Sequence, residues 1–468
     1  MKFSRLLTTT TAFSLFALGS ATGQQMATPD TTAHRHTPGM DMSSHDDMLM
    51  QGDDEPPMSH AYSRNLPMGR NGSGTAWNPD QTPMYMWMHH KGKWMVMNHG
   101  AVYLRYSNQN LARENGQRGG RTFDAPNWFM TMAQRRIGEK GLLNLTAMFS
   151  LDAVTDSPNG YPLLFQSGEA YQDRPLIDRQ HPHDLFSALS IGYTHAFSED
   201  VDLTVYLGYP GEPAIGPVAF MHRISSMPNP DAPLGHHWQD ATHITFGVAT
   251  VGVRYKQFKL EGSNFTGREP DEHRFGFDRP RADSWAARLN WNPTRTLALQ
   301  VSKAYIKSPE QLAPNEDVKR TTASVIHSRH WRSEHYITSA LVWGMNKHVE
   351  NSQTGKASHS VLAETSVQLG KPAVYGRYEF VQKSDEELDL PVNRPNQDGH
   401  TNYNLHALTV GANYRVAQLA RLDFVLGAQG SVYKPDNFLR GFYGKTPVSA
   451  EVYLRLNPSL MTMRKMRM

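Results

Sequence analysis

The chain has 468 residues, and its formal charge of +3 is too small to indicate a nucleic-acid partner. It contains no cysteine, which excludes disulfides, thiolate metal sites and a cysteine nucleophile. After residue 23 no stretch approaches the roughly 18 apolar residues that a membrane-spanning helix needs. A polar average still allows a membrane β-barrel, because its strands alternate lipid-facing and lumen-facing residues.

Residues 1–23 have the pattern of a secretory signal peptide. Lys2 and Arg5 precede the apolar stretch Leu6–Leu18, and the small residues Ala21-Thr22-Gly23 follow at the position of cleavage. The alternative is a buried helix at the start of a soluble domain. We therefore expect the mature protein to work outside the cytoplasm.

Residues 24–92 form a leader rich in Met, His, Asp, Pro, Gly and Ser, which we expect to be disordered because it has too few apolar groups to build a core. Its methionines recur two residues apart, so that neighbouring thioethers of an extended chain project the same way. Thioether sulfur suits Cu(I) or Ag(I), and imidazole suits Cu(II), Zn or Ni. The predicted metal ligands of the leader are Met40, Met42, His45, Met48, Met50, Met84, Met86, Met88, His89 and His90. The alternative is a plain linker.

From residue 93 the sequence consists of short segments in which apolar and polar residues alternate. This alternation has the period of a β-strand. In 448–456, for example, Val448, Val452 and Leu454 oppose Glu451 and Arg455. We predict sixteen strands, at 93–106, 122–135, 141–153, 185–197, 201–209, 243–255, 257–266, 283–292, 296–306, 319–329, 334–344, 358–369, 372–383, 402–415, 420–432 and 446–456.

The connections between these segments alternate strictly between short and long. Seven are tight turns, and between them lie the long polar connections 107–121, 154–184, 210–242, 267–282, 307–318, 345–357, 384–401 and 433–445. Outer-membrane barrels have tight turns at the periplasmic rim and long connections at the outer rim. The fold class that we predict is all-β, a transmembrane antiparallel barrel over 93–456, with a Met-rich basic tail at 457–468. A secreted soluble all-β protein is the alternative.

The two longest connections carry a second concentration of polar ligands. If both fold inward, their side chains would meet at a constriction of the lumen and bind a metal ion or solute there. The alternative is that these residues only fix the connections to the wall by hydrogen bonds. The candidate residues are His181, His183, Asp184, His236, His237, Asp240 and His243, with Glu212, His222 and Arg223 nearby.

The layout resembles the copper-resistance protein B family of Gram-negative outer-membrane proteins. The likeness rests on Met40-Asp41-Met42, His45, Met48-Leu49-Met50 and the run from Met84 to His90 ahead of the barrel. Members of that family have a signal peptide, a Met/His-rich leader and a carboxy-terminal barrel, and are associated with periplasmic copper tolerance. The resemblance implies that copper ion is the bound ligand.

We expect a protein of the cell outer membrane, with its leader in the periplasm or in the lumen, that binds or passes copper or a related soft metal ion. A porin-like channel for another small solute is the first alternative. A barrel hydrolase is the second, but no Gly-x-Ser-x-Gly, phosphate-loop or His-Glu-x-x-His motif is present, so we predict no enzyme. Membrane lipid, the ion or solute and further copies of the chain are the expected partners.

Overall fold

One antiparallel sheet closes on itself in the computed structural model, which describes residues 58–351, 353–391 and 402–461. Each wall strand pairs with the next along the chain, and the last pairs with the first from Val102↔Leu456 to Asn108↔Ala450. Gly120–Asp124 and Asn127–Ile137 both pair with Trp94–Gln109 and form one interrupted strand. The predicted barrel of sixteen strands is confirmed.

The wall strands begin and end within a few residues of the predicted bounds, apart from the extensions described below. They are β1 Trp94–Gln109, β2 Gly120–Asp124 with Asn127–Ile137, β3 Gly141–Phe149, β4 Phe186–Ala196, β5 Val201–Gly208, β6 Val248–Tyr255, β7 Phe258–Phe265, β8 Ser284–Thr294, β9 Leu297–Ile306, β10 Glu316–Arg332, β11 His335–Glu350, β12 Gln353–Leu369, β13 Pro372–Ser384, β14 Asn402–Leu419, β15 Leu422–Pro435 and β16 Val448–Pro458.

The remaining elements are short and lie in the connections or before the wall. A strand Trp87–Lys91 forms a hairpin with β1, and two-residue strands pair Tyr161–Pro162 with Arg179–Gln180 and Ala170–Tyr171 with Arg174–Pro175. The helical turns are Met68–Arg70, Asp152–Thr155, Phe220–His222, His236–Gln239, Ala241–His243 and Arg440–Tyr443. Within the described ranges no helix is both long and apolar enough to cross a membrane.

The two faces of the wall have opposite polarity. In β16, Val448 and Val452 are exposed outward, while Ser449, Glu451 and Arg455 are buried on the inside. The same inversion holds around the barrel, where exposed Leu, Val and Ile alternate with buried Ser, Thr, Asn, Arg and Glu. A closed sheet leaves no unpaired edge, and an apolar outer face is stable in lipid. The barrel therefore belongs to the outer-membrane type.

Buried charges on the inner wall are neutralised by partners on neighbouring strands or on inward connections, as burial without a partner would be costly. The pairs are Arg105 with Asp124 and Asp231, Arg254 with Asp202, Arg288 with Glu261, and Arg377 with Glu364. The lumen is thus lined by polar side chains whose charges are mostly paired, in keeping with the lumen-facing side of such a barrel.

One predicted long connection is wrong. Residues 345–357 mostly continue strands β11 and β12, which stay paired as far as Glu350↔Gln353. This segment carries polar residues such as Asn346, Lys347 and Thr354 on consecutive positions, so period two is invisible in the sequence. Cross-strand pairing continues the hairpin through these residues, and Asn346 is buried on its inner face.

The prediction of a disordered leader is wrong for residues 58–92; residues 1–57 lie outside the described residues. Residues 58–86, which we call the belt, run inside the barrel along the rim of short turns. Tyr62, Leu66, Met68 and Trp77 of the belt are buried. Its hydrogen bonds meet successive turns in chain order: Arg64 donates to Gly138 O (3.0 Å), Asn65 to Ser198 O (3.3 Å), Arg70 to Gln257 Oε1 (2.7 Å) and the Gln81 N–H to Arg295 O (3.0 Å).

The belt has a defined structure because of its contacts with the wall and not because of its own sequence. The belt is too polar to form a core alone, but the inner wall offers partners for its backbone. Arg288 donates to Thr75 Oγ1 at 2.9 Å, and Asn292 donates to the Asn78 carbonyl at 2.8 Å. The belt becomes ordered because the barrel satisfies its polar groups.

Candidate functional site in the lumen

Connections 150–185 and 209–247 both fold into the lumen and bring five predicted histidines into one row. The imidazole ring centres are separated by 5.8 Å from His181 to His183, 5.7 Å from His183 to His243, 5.1 Å from His243 to His236, and 5.5 Å from His236 to His237. We call these five residues the histidine row. The predicted meeting of the two connections is therefore present.

Most of these imidazoles are held through one ring nitrogen. His183 Nδ1 lies 2.7 Å from Asp152, His236 Nδ1 lies 2.7 Å from Asp240, and His181 Nε2 lies 2.6 Å from Glu169. The Nε2 atoms of His183 and His243 are buried and have no hydrogen-bond partner in the described part of the chain. A fixed Nδ1 with an unoccupied Nε2 is the arrangement of imidazoles that bind metals.

No group of three or more His, Asp or Glu side chains in the described ranges is arranged to hold one metal ion. Asp184 faces Arg274 at 3.5 Å rather than the histidine row. His237 is 3.5 Å from Glu269, on a different connection. The metal site predicted from these residues stays a prediction, and the geometry equally allows the alternative in which they fix the connections.

Arg223 joins the histidine row to the wall. Its guanidinium donates to Asp240 and to Glu364 of β12, each at 2.9 Å, and all three side chains are at most 2% exposed. Burial raises the pKa of Asp240, but His236 and Arg223 outweigh it and the net shift is downward. Asp240 is thus an anion held between a guanidinium and an imidazole.

The histidine row contains imidazoles that resist protonation. Burial lowers the pKa of His181, His236 and His243, and for His243 the neighbouring His236 and His183 lower it further. Burial also lowers the pKa of His183, but its hydrogen bond to Asp152 outweighs this and the net pKa is raised. The row therefore combines imidazoles whose pKa is lowered with one, His183, whose pKa is raised.

Acid should weaken the fold through His243. Its pKa is lowered, so folding loses stability as the pH falls below about 6.5, where the unfolded chain takes up a proton that the buried ring refuses. His183 acts in the opposite direction. We expect His243→Gln to reduce the drop in unfolding temperature between pH 7.5 and pH 5.5, measured by intrinsic fluorescence. An equal drop in wild type and variant would contradict this assignment; His273→Gln, at an exposed position, is the control.

The predicted metal ligands of the leader fall into three groups when they are compared with the structure. Met40, Met42, His45, Met48 and Met50 lie outside the described residues. Met84, Met86 and Met88 pack, partly buried, against a methionine-rich cluster of the inner wall. His89 is on the exposed face of the strand Trp87–Lys91, opposite to Met88 and His90.

Sequence reasoning overlooked the wall residues of that cluster. Met130 and Met132 of β2 and Met148 of β3 are buried toward the lumen with Met95 and Met97 of β1. The signal was available, since Met130 and Met132 repeat the Met-x-Met spacing of the leader inside a strand. It was hidden because methionine is also an ordinary filler of apolar cores.

A vestibule of ≈ 1540 Å³ opens on the side of the long connections. Carboxylates dominate the charged side chains of its lining, and Lys356 and His348 are the basic residues among the described part of that lining. The acidic residues are Glu169, Glu310, Glu316, Asp385, Glu386, Glu387 and Asp389. Burial raises the pKa of Glu310 to about 8, and the charges of Glu387 and Glu269 add to the rise. Like charges are thus crowded here, and an entering cation would relieve their repulsion.

Comparison with known proteins finds no matching family model and no matching curated protein. Solved structures of porins resemble the fold of this chain at low sequence identity. OmpF of Salmonella typhi in complex with daunomycin has a TM-score of 0.47 at 9% identity, covering 79% of this chain and 100% of that one. An anion-selective porin from Comamonas acidovorans scores 0.46 at 10% identity (78% and 99% covered), and a loop-deletion mutant of OmpT, an outer membrane protein of Vibrio cholerae, scores 0.45 at 9% (78% and 99%).

Proposed function

We propose that the barrel is a porin-like passage of the outer membrane for small cationic solutes. The observation that carries this proposal is the acidic vestibule, whose lining by described residues contains seven acidic side chains and two basic ones. A cleft lined by charge of one sign raises the local concentration of the opposite ion. Cations would therefore enter preferentially from the side of the long connections.

The path beyond the vestibule is narrow. The inward connection 209–247 is buried over most of its length, and the belt follows the opposite rim. Passage would depend on small rearrangements of these two segments, so we expect a unitary conductance lower than that of a wide pore. A sixteen-stranded wall has room for a water-filled lumen once connection 209–247 and the belt move aside.

Neutralising the vestibule should remove its preference for cations. We expect the triple variant Glu386→Gln, Glu387→Gln and Asp389→Asn to shift the reversal potential toward zero in a planar bilayer under a KCl gradient. The reason is that potassium then loses its electrostatic advantage over chloride in the vestibule. Raising the salt concentration should reduce the wild-type preference as well, since ions screen exposed charges.

The matched control is Glu114→Gln, an exposed carboxylate in connection 110–119 that does not line the vestibule. It should leave the reversal potential unchanged. A triple variant as cation-selective as wild type would overturn the proposal, and so would a wild-type barrel that prefers anions.

A second candidate function is binding of copper or another soft metal ion by the leader. It is favoured by the packing of Met84, Met86 and Met88 with the buried wall methionines, because one thioether-rich surface is shared by leader and wall. We expect the full chain to lose Cu(I) equivalents when Met40, Met42, Met48 and Met50 become Leu. Unchanged stoichiometry in competition with a Cu(I) chelator would exclude a role for these four residues.

A further inference from the structure

The methionines of this chain are concentrated in one place. Of 23 in the sequence, twelve belong to a single cluster: buried Met68, Met95, Met97, Met130, Met132 and Met148, and partly buried Met58, Met84, Met86, Met88, Met221 and Met461. Elsewhere the inner wall carries polar and charged side chains together with buried apolar ones such as Val342, Leu362 and Tyr433. A surface rich in thioethers is therefore a local feature of this part of the lumen.

Strand register arranges these thioethers in rows. His99 of β1 lies directly opposite Met130 of β2, and Met130 lies opposite Met148 of β3. In the next row Met97 lies opposite Met132 and also opposite Met88 of the preceding hairpin. Directly opposed residues have Cβ atoms about 5 Å apart. Adjacent side chains of one row can thus reach a common ion.

An internal cavity adjoins this surface. Its volume is ≈ 30 Å³, and its lining includes Met130, Met132, Met148, Met221 and His222. A cavity needs about 10–15 Å³ of this kind to hold one water molecule, so this cavity has room for one small ion. Met221 and His222 come from connection 209–247, so the inward connection closes the cavity against the wall.

His99 supplies a buried ligand without a partner. Its Nε2 atom is buried and accepts no hydrogen bond from any described residue. Its ring lies 5.9 Å from that of His222 and 5.5 Å from that of Trp128, centre to centre. A buried polar atom that is left unsatisfied destabilises the fold, and an ion bound to it would remove that cost.

We propose that Met130, Met148 and Met221, together with His99 and His222, form a site for a soft monovalent metal ion such as Ag(I) or Cu(I). Neutral thioether and imidazole donors match the soft ions. A hard divalent cation would need several carboxylates, whereas Glu212 is the one carboxylate among the described residues that line the cavity, and no acidic group of the described ranges is arranged to hold a metal. The inference rests on the proposed passage only for the route by which the ion enters.

The competing explanation is that these methionines merely fill gaps, as methionine does in irregular cores. It predicts that Leu would serve as well at each position, since Met and Leu differ little in volume and are exchanged in cores at small cost. It does not account for the unsatisfied Nε2 of His99. The two explanations therefore separate in a metal-binding measurement and not in a stability measurement.

The test compares the purified full-length wild type with the triple variant Met130→Leu, Met148→Leu and Met221→Leu in detergent. Each is titrated with Ag(I), and bound silver is counted by mass spectrometry after gel filtration. We expect the triple variant to bind one equivalent fewer than wild type, while Met345→Leu, at a β11 position outside the cluster, binds as wild type. Heat-dependent gel mobility verifies that all three barrels are folded.

Equal silver stoichiometry in wild type and triple variant would overturn the site. A further variant, His99→Gln, should weaken Ag(I) binding while leaving the fold intact, and unchanged affinity would remove His99 from the ligand set. Zn(II) that binds as tightly as Ag(I) and depends on the same methionines would contradict the soft-ion assignment. Silver binding is measured in detergent and not across a membrane. A barrel that does not conduct cations could therefore still bind Ag(I), and a barrel that binds no Ag(I) could still conduct.

Discussion

Replacing Arg223 by Met should destabilise the barrel by about 3–5 kcal/mol, the cost of breaking a buried ion pair by removing one partner. Arg223 donates to both Asp240 and Glu364, and water reaches none of the three side chains. After the change, Asp240 retains His236 and Glu364 retains Arg377, so two carboxylates are left with too little positive charge. The measurement is guanidinium-induced unfolding followed by tryptophan fluorescence.

The matched control for this substitution is Lys256→Met at a short turn. Lys256 lies 3.9 Å from Asp200, and both side chains are about half exposed. Exposed pairs contribute 0–1 kcal/mol in general, so the unfolding midpoint should hardly move. If Arg223→Met unfolds at the same denaturant concentration as this control, the ion pair does not anchor the inward connection.

Deleting the belt, residues 58–86, should raise the unitary conductance several-fold. The belt occupies the rim of short turns from the inside, and its hydrogen bonds reach the turns at Gly138, Ser198 and Arg295. Without it, the polar side chains of the inner wall would be hydrated by water, as they are in wide sixteen-stranded barrels. The pairing between wall strands does not involve the belt, so the barrel itself should persist. Single-channel recording in planar bilayers measures the change.

A second deletion distinguishes loss of the belt from a general effect of shortening the chain. Removal of residues 112–116, an exposed part of connection 110–119, should leave conductance as in wild type. If the belt deletion and this control conduct equally, the constriction lies elsewhere, and the inward connection 209–247 becomes the segment that limits passage.

The wall of the barrel could be predicted from the sequence because its determinants are local. Alternation such as Val448, Ser449 and Glu451 depends only on the direction in which neighbouring side chains project. Turn length is equally local, and the order of short and long connections predicted the closed antiparallel sheet. The prediction failed at 345–357, where both faces are polar and the strand is recognisable only through its partner.

The lumen could not be predicted to the same extent. The belt has no apolar periodicity of its own, and its order comes from contacts with residues such as Arg288 and Asn292, two hundred positions away. The histidine row was anticipated as a set of candidates, but its pairing with Glu169, Asp152 and Glu269 depends on how two connections fold inward. Folding of long connections is decided by the wall that they meet.

The sequence by itself determined the strand number, the polarity of the two wall faces and the side on which the long connections lie, because period two and turn length are properties of adjacent residues. Only the tertiary structure decided what the interior contains. His99, Met130 and Met148 are far apart along the chain and become one row through strand register. Met221 and His222 reach the same place from connection 209–247, whose course depends on the wall that it contacts and is not encoded in any local pattern.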